Sequence, residues 1–313
     1  MNDHQQAQLK NLLADLGVTN IPDLSTMTNE ELRQYLKATF VEILLNYKNA
    51  SFVEKAFCLK ELLIPHSIFQ YRSFDDAGYK VESLKKNYVW LSMPKDFNDP
   101  YDCAGCFDME KTLENLLREK QQNRDISKIL SSHKIFSNTT QEILENSRAK
   151  LKNALQQKVK ISCFSETYNN ILMWSHYAQN HTGFCIEYNI SNLELTNSFK
   201  KQLFPVFYTP KPIDMSKAIL SKQKEIFENI LIINKSEDWK YEREWRYITS
   251  SEDDSKFIMP VKPKAIYLGT KISEKNKNIM LEIANNEYQI PCYELQQQMN
   301  SFKLEIARNL SLL

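Results

Sequence analysis

The sequence predicts an α+β fold in which a strand-rich body carries helical insertions and follows a helical segment. Three observations carry this. Residues 1–65 hold apolar residues at helical spacing. From residue 66 onward, short apolar or alternating runs (SIFQY, YVWLSM, VKISCF, FCIEY, WRYIT) recur between turn signals, as strands do. The polar stretch Asp108–Gln157, with windows such as ENLLREK and QEILENSRAKLKNALQQ, reads as helix and interrupts those strands. The organisation read from this is a helical segment over 1–65 and an α+β domain over 66–313, with a helical insertion at 108–158.

Within the first segment, Ala7–Leu16 has helical periodicity and ends at Gly17. Thr28 followed by Asn29-Glu30-Glu31 forms a capping-box pattern that opens a helix to Tyr47, and Ser51 with Glu54 repeats it. This segment is expected to pack on the body or to contact a partner protein. Pro65 marks the boundary. Ser67–Tyr71 reads as a strand ending at Arg72-Ser73, Asp75–Lys86 as a helix, and Tyr88–Met93 as a second strand. That order is expected to bring Arg72 and Ser92 near each other. Pro94–Pro100 is a loop, with Asn98 and Asp99 bonding its backbone.

The stretch 160–190 concentrates polar and aromatic groups. Strand Val159–Phe164 delivers Ser165 and Glu166 at its end. A helix over Tyr168–Ala178 carries Trp174, Ser175, His176 and Tyr177, and Gly183 precedes strand Phe184–Tyr188. Buried polar groups are costly unless paired, so this density fits either a site or a satisfied hydrogen-bond network. Leu203–Tyr208 is an edge strand because it holds Pro205. Asp214–Ile233 reads as one helix capped by Asp214. Trp239–Thr249 ends as a strand with Trp245 and Tyr247 on one face and Glu244, Arg246 and Ile248 on the other. Lys264–Leu268 is a strand, Ser273–Asn285 a capped helix, and Tyr288–Leu295 and Phe302–Ile306 the last strands.

Composition narrows the chemistry. Five glycines in 313 residues, with no GxGxxG and no GxxxxGK[ST], argue against a glycine-rich phosphate loop. A net charge of +1 gives no global pull toward nucleic acid or membrane. No apolar run approaches the roughly 20 residues needed to span a bilayer. The first residues lack a signal-peptide layout, so a cytoplasmic, reducing setting is expected, with the six cysteines as small core residues.

Glu242 and Glu244 lie two residues apart and are expected to share one face of a strand, with Arg246 on that same face. They read either as an ion-pair ladder or as a pair of functional acids. Arg72, just past a strand end, reads either as a two-point holder of phosphate or carboxylate or as a bracing residue. Metal ligation is disfavoured: His176 and His181 lack convergent partners, and Cys103-Ala104-Gly105-Cys106 is a lone CxxC. A Ser165 or Ser175 hydrolase with His176 lacks the GxSxG elbow and an evident acid.

The order FQYRS, VWLSMPKDFNDPYD, ISCFSETYNNILMWSHYAQNHTGFCIEY, WKYEREWRYI, AIYLG resembles the bacterial domain-of-unknown-function family 2971 (DUF2971) over residues 66–306. The same order of an Arg, a strand ending in Ser and a strand bearing Glu-x-Glu is similar to the ADP-ribosyltransferase superfamily. That resemblance implies a mixed, mostly antiparallel, split sheet and glycosyl transfer from NAD, as in a toxin or phage-defence effector. Carried over, Arg72 holds the cofactor phosphates, Ser162–Ser165 shapes the nicotinamide pocket, and Glu242 or Glu244 stabilises the oxocarbenium-like centre. Here the second motif reads Ser-Cys-Phe-Ser where that superfamily has Ser-Thr-Ser. The implied cofactor-contacting set is Arg72, Ser73, Ser92, Ser165, Trp174, His176 and Tyr177, with no metal. The alternative from a different class is a non-catalytic module that binds a nucleotide or a protein partner.

Overall fold

A computed structural model describes residues 3–45, 50–108, 111–112, 137–216 and 224–311. The helix windows expected over 114–120 and 217–223 lie outside the described residues. In chain order the elements begin with helices α1 (Asp3–Asp15), α2 (Asn29–Leu45) and α3 (Ala50–Leu63). Strand β1 (Ser67–Arg72), helix α4 (Tyr79–Lys85), and strands β2 (Tyr88–Trp90) and β3 (Gly105–Cys106) follow. Next come α5 (Ser137–Lys158), β4 (Val159–Ser165), α6 (Ile171–Tyr177), β5 (Phe184–Asn189), α7 (Ser198–Gln202), β6 (Leu203–Pro205), β7 (Phe207–Thr209) and β8 (Ile213–Asp214). The chain continues with α8 (Lys224–Ile232), β9 (Asn234–Ser236), β10 (Glu244–Ser250), β11 (Lys256–Ile258), β12 (Ala265–Leu268), α9 (Glu274–Glu282), β13 (Cys292–Gln297) and β14 (Leu304–Asn309).

Two compact units result. The first joins residues 1–64 to 94–158 and 207–237. Glu31 closes the expected capping box on α2: its carboxylate accepts the Thr28 N–H at 2.8 Å, and Thr28 Oγ1 accepts the Glu31 N–H. The apolar face of α2 packs on α3 and α8, so the helical segment finds its core in sequence-distant pieces. The parallel pairs β3–β8 and β7–β9 belong to this unit. Asp214 lies in β8, where its side chain accepts the Ser216 N–H at 2.9 Å and pairs with Lys111 at 3.1 Å. Asp99 accepts the Tyr101 N–H at 2.8 Å, as expected of the loop.

The second unit, residues 65–93, 159–206 and 238–313, holds an eight-stranded sheet in the order β14-β13-β12-β5-β1-β4-β10-β6. Only β12 and β13 pair in parallel, so the sheet is mixed and mostly antiparallel, as the sequence predicts. The expected strand Leu203–Tyr208 breaks in two. Val206 N–H bonds Glu244, whereas Phe207 N–H turns to Ile233, because Pro205 offers no N–H to continue a ladder. β1 and β4 meet at Phe69 and Ser165; farther along β4, Ile161 bridges to Ser92 instead.

Pairing fixes which side chains share a face, because opposed residues point the same way and neighbours alternate. Phe69, Tyr71, Cys163, Ser165, Cys185, Glu187, Glu244 and Arg246 form the front. Gln70, Arg72, Ser162, Phe164, Phe184, Tyr188, Trp245 and Tyr247 form the back. Met173 and Trp174 of α6 cover the front in a core with Phe69, Tyr71 and Tyr267. On the back, Phe199 of α7 stacks on Tyr247 with centroids 5.1 Å apart.

Candidate functional site

The front face gathers five of the residues singled out by sequence. Ser165 Oγ donates to the Glu242 carbonyl at 2.7 Å and accepts the Thr167 N–H, which locks the end of β4 to the turn before β10. Tyr177 donates its hydroxyl to Glu242 Oε1. Glu242 is buried, and it sits in the 3-10 turn Glu237–Glu242 rather than on the strand. The two carboxylates therefore do not share a strand face as expected: Arg243 adopts φ 47°, and the strand starts only at Glu244. Arg246 grips Glu244 through Nε at 2.8 Å and Nη2 at 3.2 Å, and both side chains are almost fully buried. A carboxylate held in such a fork is neutralised and positioned by its own neighbour.

His176 is exposed on α6. Its ring lies 6.4 Å from Trp239 and 6.1 Å from Tyr241. Trp174 is buried; it donates Nε1–H to the Tyr168 carbonyl at 2.7 Å and packs edge-on to Tyr71, so it is a core residue. Ser175 donates its hydroxyl to the Ile171 carbonyl at 3.0 Å. The 3.2 Å contact between Ser175 Oγ and His181 Nε2 must then have the imidazole as donor. That assigns the proton to Nε2 and leaves Nδ1 a buried acceptor without a donor. A histidine donating to a serine cannot deprotonate it, so no Ser175 nucleophile arises here. Among the described residues, no cluster of three or more His, Cys, Asp or Glu could hold a metal ion.

Arg72 stands apart from this group. It is on the back, three positions along β1 from Phe69, which is level with Ser165 and Glu244. Two strand spacings and three residues separate it from Glu244 by about 10 Å across and about 10 Å along the sheet, besides the sheet itself. The bridge to Ile161 gives Ser92 the front parity, so Ser92 does not share the Arg72 face.

Around Arg72 the charge balance is one-sided. Its Nη2 donates to Gln70 Oε1 at 2.7 Å, and Gln70 Nε2 in turn donates to Ser162 Oγ at 3.1 Å. Its Nε is buried with no acceptor, and among the described residues no carboxylate pairs with it. Burial lowers the guanidinium pKa, which Tyr188 and Tyr88 offset in part. Lys80 of α4 adds a second cation beside it, donating to Ser73 Oγ. Burial lowers the Lys80 pKa, the Arg72 charge lowers it further, and the Asp75 charge opposes both in part. Asp75, the acid next to Lys80, uses Oδ1 on the Tyr79 N–H and Oδ2 on the Lys80 N–H, both at 2.8 Å. The backbone anchors this corner tightly: a Cβ on Gly183 would lie 2.1 Å from the Arg72 carbonyl oxygen. Lys80 was not legible as a site residue from sequence. The available signal was a lysine eight residues after Arg72 in a short polar helix, which many surfaces share.

The matching motifs span α6, β5 and the start of β10. Residues 173–247 match the family model Protein of unknown function (DUF2971). The DUF2971 resemblance read from MWSHYA, CIEY and YEREWR thus holds over this span, which contains His176, Tyr177, Glu242, Glu244 and Arg246; Arg72 and Lys80 precede it. No curated protein and no solved structure matches the chain. No described helix is long and apolar enough to cross a membrane.

Proposed function

We propose that the protein binds a phosphate-bearing nucleotide at the back-face cluster of Arg72, Ser73 and Lys80. The observation that carries this reading is a guanidinium with a buried, unbonded Nε–H and no carboxylate partner among the described residues, beside a second cation. A buried cation is costly unless it is paired, so a guanidinium with no carboxylate partner among the described residues suits an anion from solution. Arg72 and Lys80 are both partly exposed, so such an anion has access. Tyr79, next to Lys80, is 68 % exposed and offers a flat ring for a base.

Glycosyl transfer from NAD needs Arg72, Ser165 and a glutamate around one ligand. The opposite parity of Arg72 and Glu244, and the fork closed on Glu244 by Arg246, favour binding over that chemistry. Thermal-shift and calorimetric titration with ATP, ADP, NAD, inorganic phosphate and adenosine tests the proposal. Phosphorylated ligands are expected to stabilise the protein, adenosine is not, and NAD is expected to release no nicotinamide. Stabilisation that persists in an Arg72→Met/Lys80→Ala variant would remove the proposed site. Nicotinamide release from NAD by the parent protein would reinstate the transferase reading.

A further inference from the structure

Three aromatic rings meet at the surface where α6 passes the 3-10 turn Glu237–Glu242. His176 is exposed, and Trp239 and Tyr241 are half-buried. Their centroids form a nearly equilateral triangle: His176 to Trp239 is 6.4 Å, His176 to Tyr241 6.1 Å and Trp239 to Tyr241 6.1 Å. Interplanar angles of 63°, 32° and 39° keep the rings tilted, so no two are stacked flat. Charge on the turn is sorted by its period. Residues three apart eclipse in a 3-10 helix, so Glu242 lies on the side of Trp239 and Asp238 on the side of Tyr241. Lys240, the one lysine of the turn, shares the third side with Glu237. Glu242 is buried, and its carboxylate accepts the Tyr177 hydroxyl. Each ring-bearing side of the turn thus carries an acid.

We infer that this triangle of rings is a seat for a small organic cation bearing a trimethylammonium group, such as choline. It is separate from the anion site: α6 covers the front of the sheet, whereas Arg72 lies on the back. An aromatic face attracts a cation within about 6 Å of its centroid. With the sides measured here, a cation about 3 Å above the triangle lies about 5 Å from all three centroids. Its methyl groups cover ring surface that water otherwise covers, which is favourable in itself. Asp238 and Glu242 supply the opposite charge. A bare ammonium is strongly hydrated and brings N–H donors that the rings leave without a full acceptor. A trimethylammonium brings none. Leu172, one turn before His176 on the same face of α6, is 42 % exposed and adds an apolar edge for the methyl groups.

Isothermal titration calorimetry of the full chain compares choline with 3,3-dimethylbutan-1-ol, its neutral carbon isostere. Choline is expected to bind at least tenfold more tightly. Tyr241→Phe keeps the ring and is expected to retain that preference, whereas Trp239→Leu is expected to weaken choline binding at least tenfold. Absence of choline binding at millimolar concentration overturns the inference. Equal affinity for the two ligands also overturns it, since the rings would then be an apolar patch without a preference for charge. Choline binding at parental affinity in a folded Trp239→Leu variant overturns it too, by placing the ligand elsewhere. The comparison of the two ligands needs only the parent protein, so it decides the matter even where Trp239→Leu fails to fold.

Discussion

Replacing Arg72 with methionine separates a binding residue from a bracing one. Methionine keeps an unbranched stem of similar length and removes the charge. The variant loses one charge-assisted hydrogen bond, to Gln70 Oε1 at 2.7 Å, worth about 1.5–3 kcal/mol. It also removes a buried N–H without an acceptor, a penalty of about 1–3 kcal/mol. These two terms nearly cancel. What remains is the desolvated charge, which is costly without a paired acid, so its replacement by an apolar side chain is neutral or stabilising. Arg72 is partly exposed, which reduces that gain. The expected result is a change between zero and about +2 kcal/mol, or a melting temperature a few degrees higher, together with loss of phosphate-dependent stabilisation. Urea denaturation and thermal melts with and without ATP read both quantities. A loss of more than about 2 kcal/mol without ligand would mean that the guanidinium braces the fold, and the unpaired-cation argument would be wrong.

Glu244→Gln removes the carboxylate onto which Arg246, a fully buried guanidinium, forks. Breaking one side of a buried pair typically costs about 3–5 kcal/mol, so the variant should unfold at much lower denaturant; unchanged stability would show that the pair is not closed in solution. Glu187 supplies the pH dependence. Burial alone would raise its carboxyl, but hydrogen bonds from Lys264, Ser67 and Tyr267 outweigh burial and hold it below the usual 4.5. The folded value is thus depressed, so its contribution is complete above pH 4.5 and is lost as pH falls through the folded pKa. Glu187→Gln should be less stable than the parent at pH 7 and should show a flatter decline below pH 4.5; parallel stability curves would remove Glu187 from the account.

Much of the fold was legible. The alternation in Trp245–Thr249 assigned each side chain its face correctly, because a strand's period is a local property. The apolar stretches 159–164 and 184–188 became the β4 and β5 strands for the same reason. Relations between distant segments were not legible. Nothing local told that α2 would share a core with α8, or that Val206 would divide one apolar run between two units. The candidate site suffered from the same limit. Arg72, Ser165 and Glu244 occur in a suggestive order, but order carries no information on parity between strands. Lys80 was invisible because its distinction is its nearness to Arg72 and Ser73, which is a property of the folded surroundings.

The separation of Arg72 from Glu244 is built into the apolar pattern of β1. Six consecutive residues of β1 pair with β5, from Ser67 opposite Asn189 to Arg72 opposite Phe184. Moving Arg72 to the front would require a slip of one residue, and a slip of one residue reverses every side chain on the strand. Phe69 and Tyr71 would leave the core they form with Trp174 and Tyr267 on the front, and Ile68 would leave the back. Ser162 and Gln70 would lose their bond as well. Several buried aromatic contacts would have to be exchanged to satisfy one arginine. The arginine therefore stays where the aromatic residues put it, and the partner for its charge has to be sought on the back of the sheet.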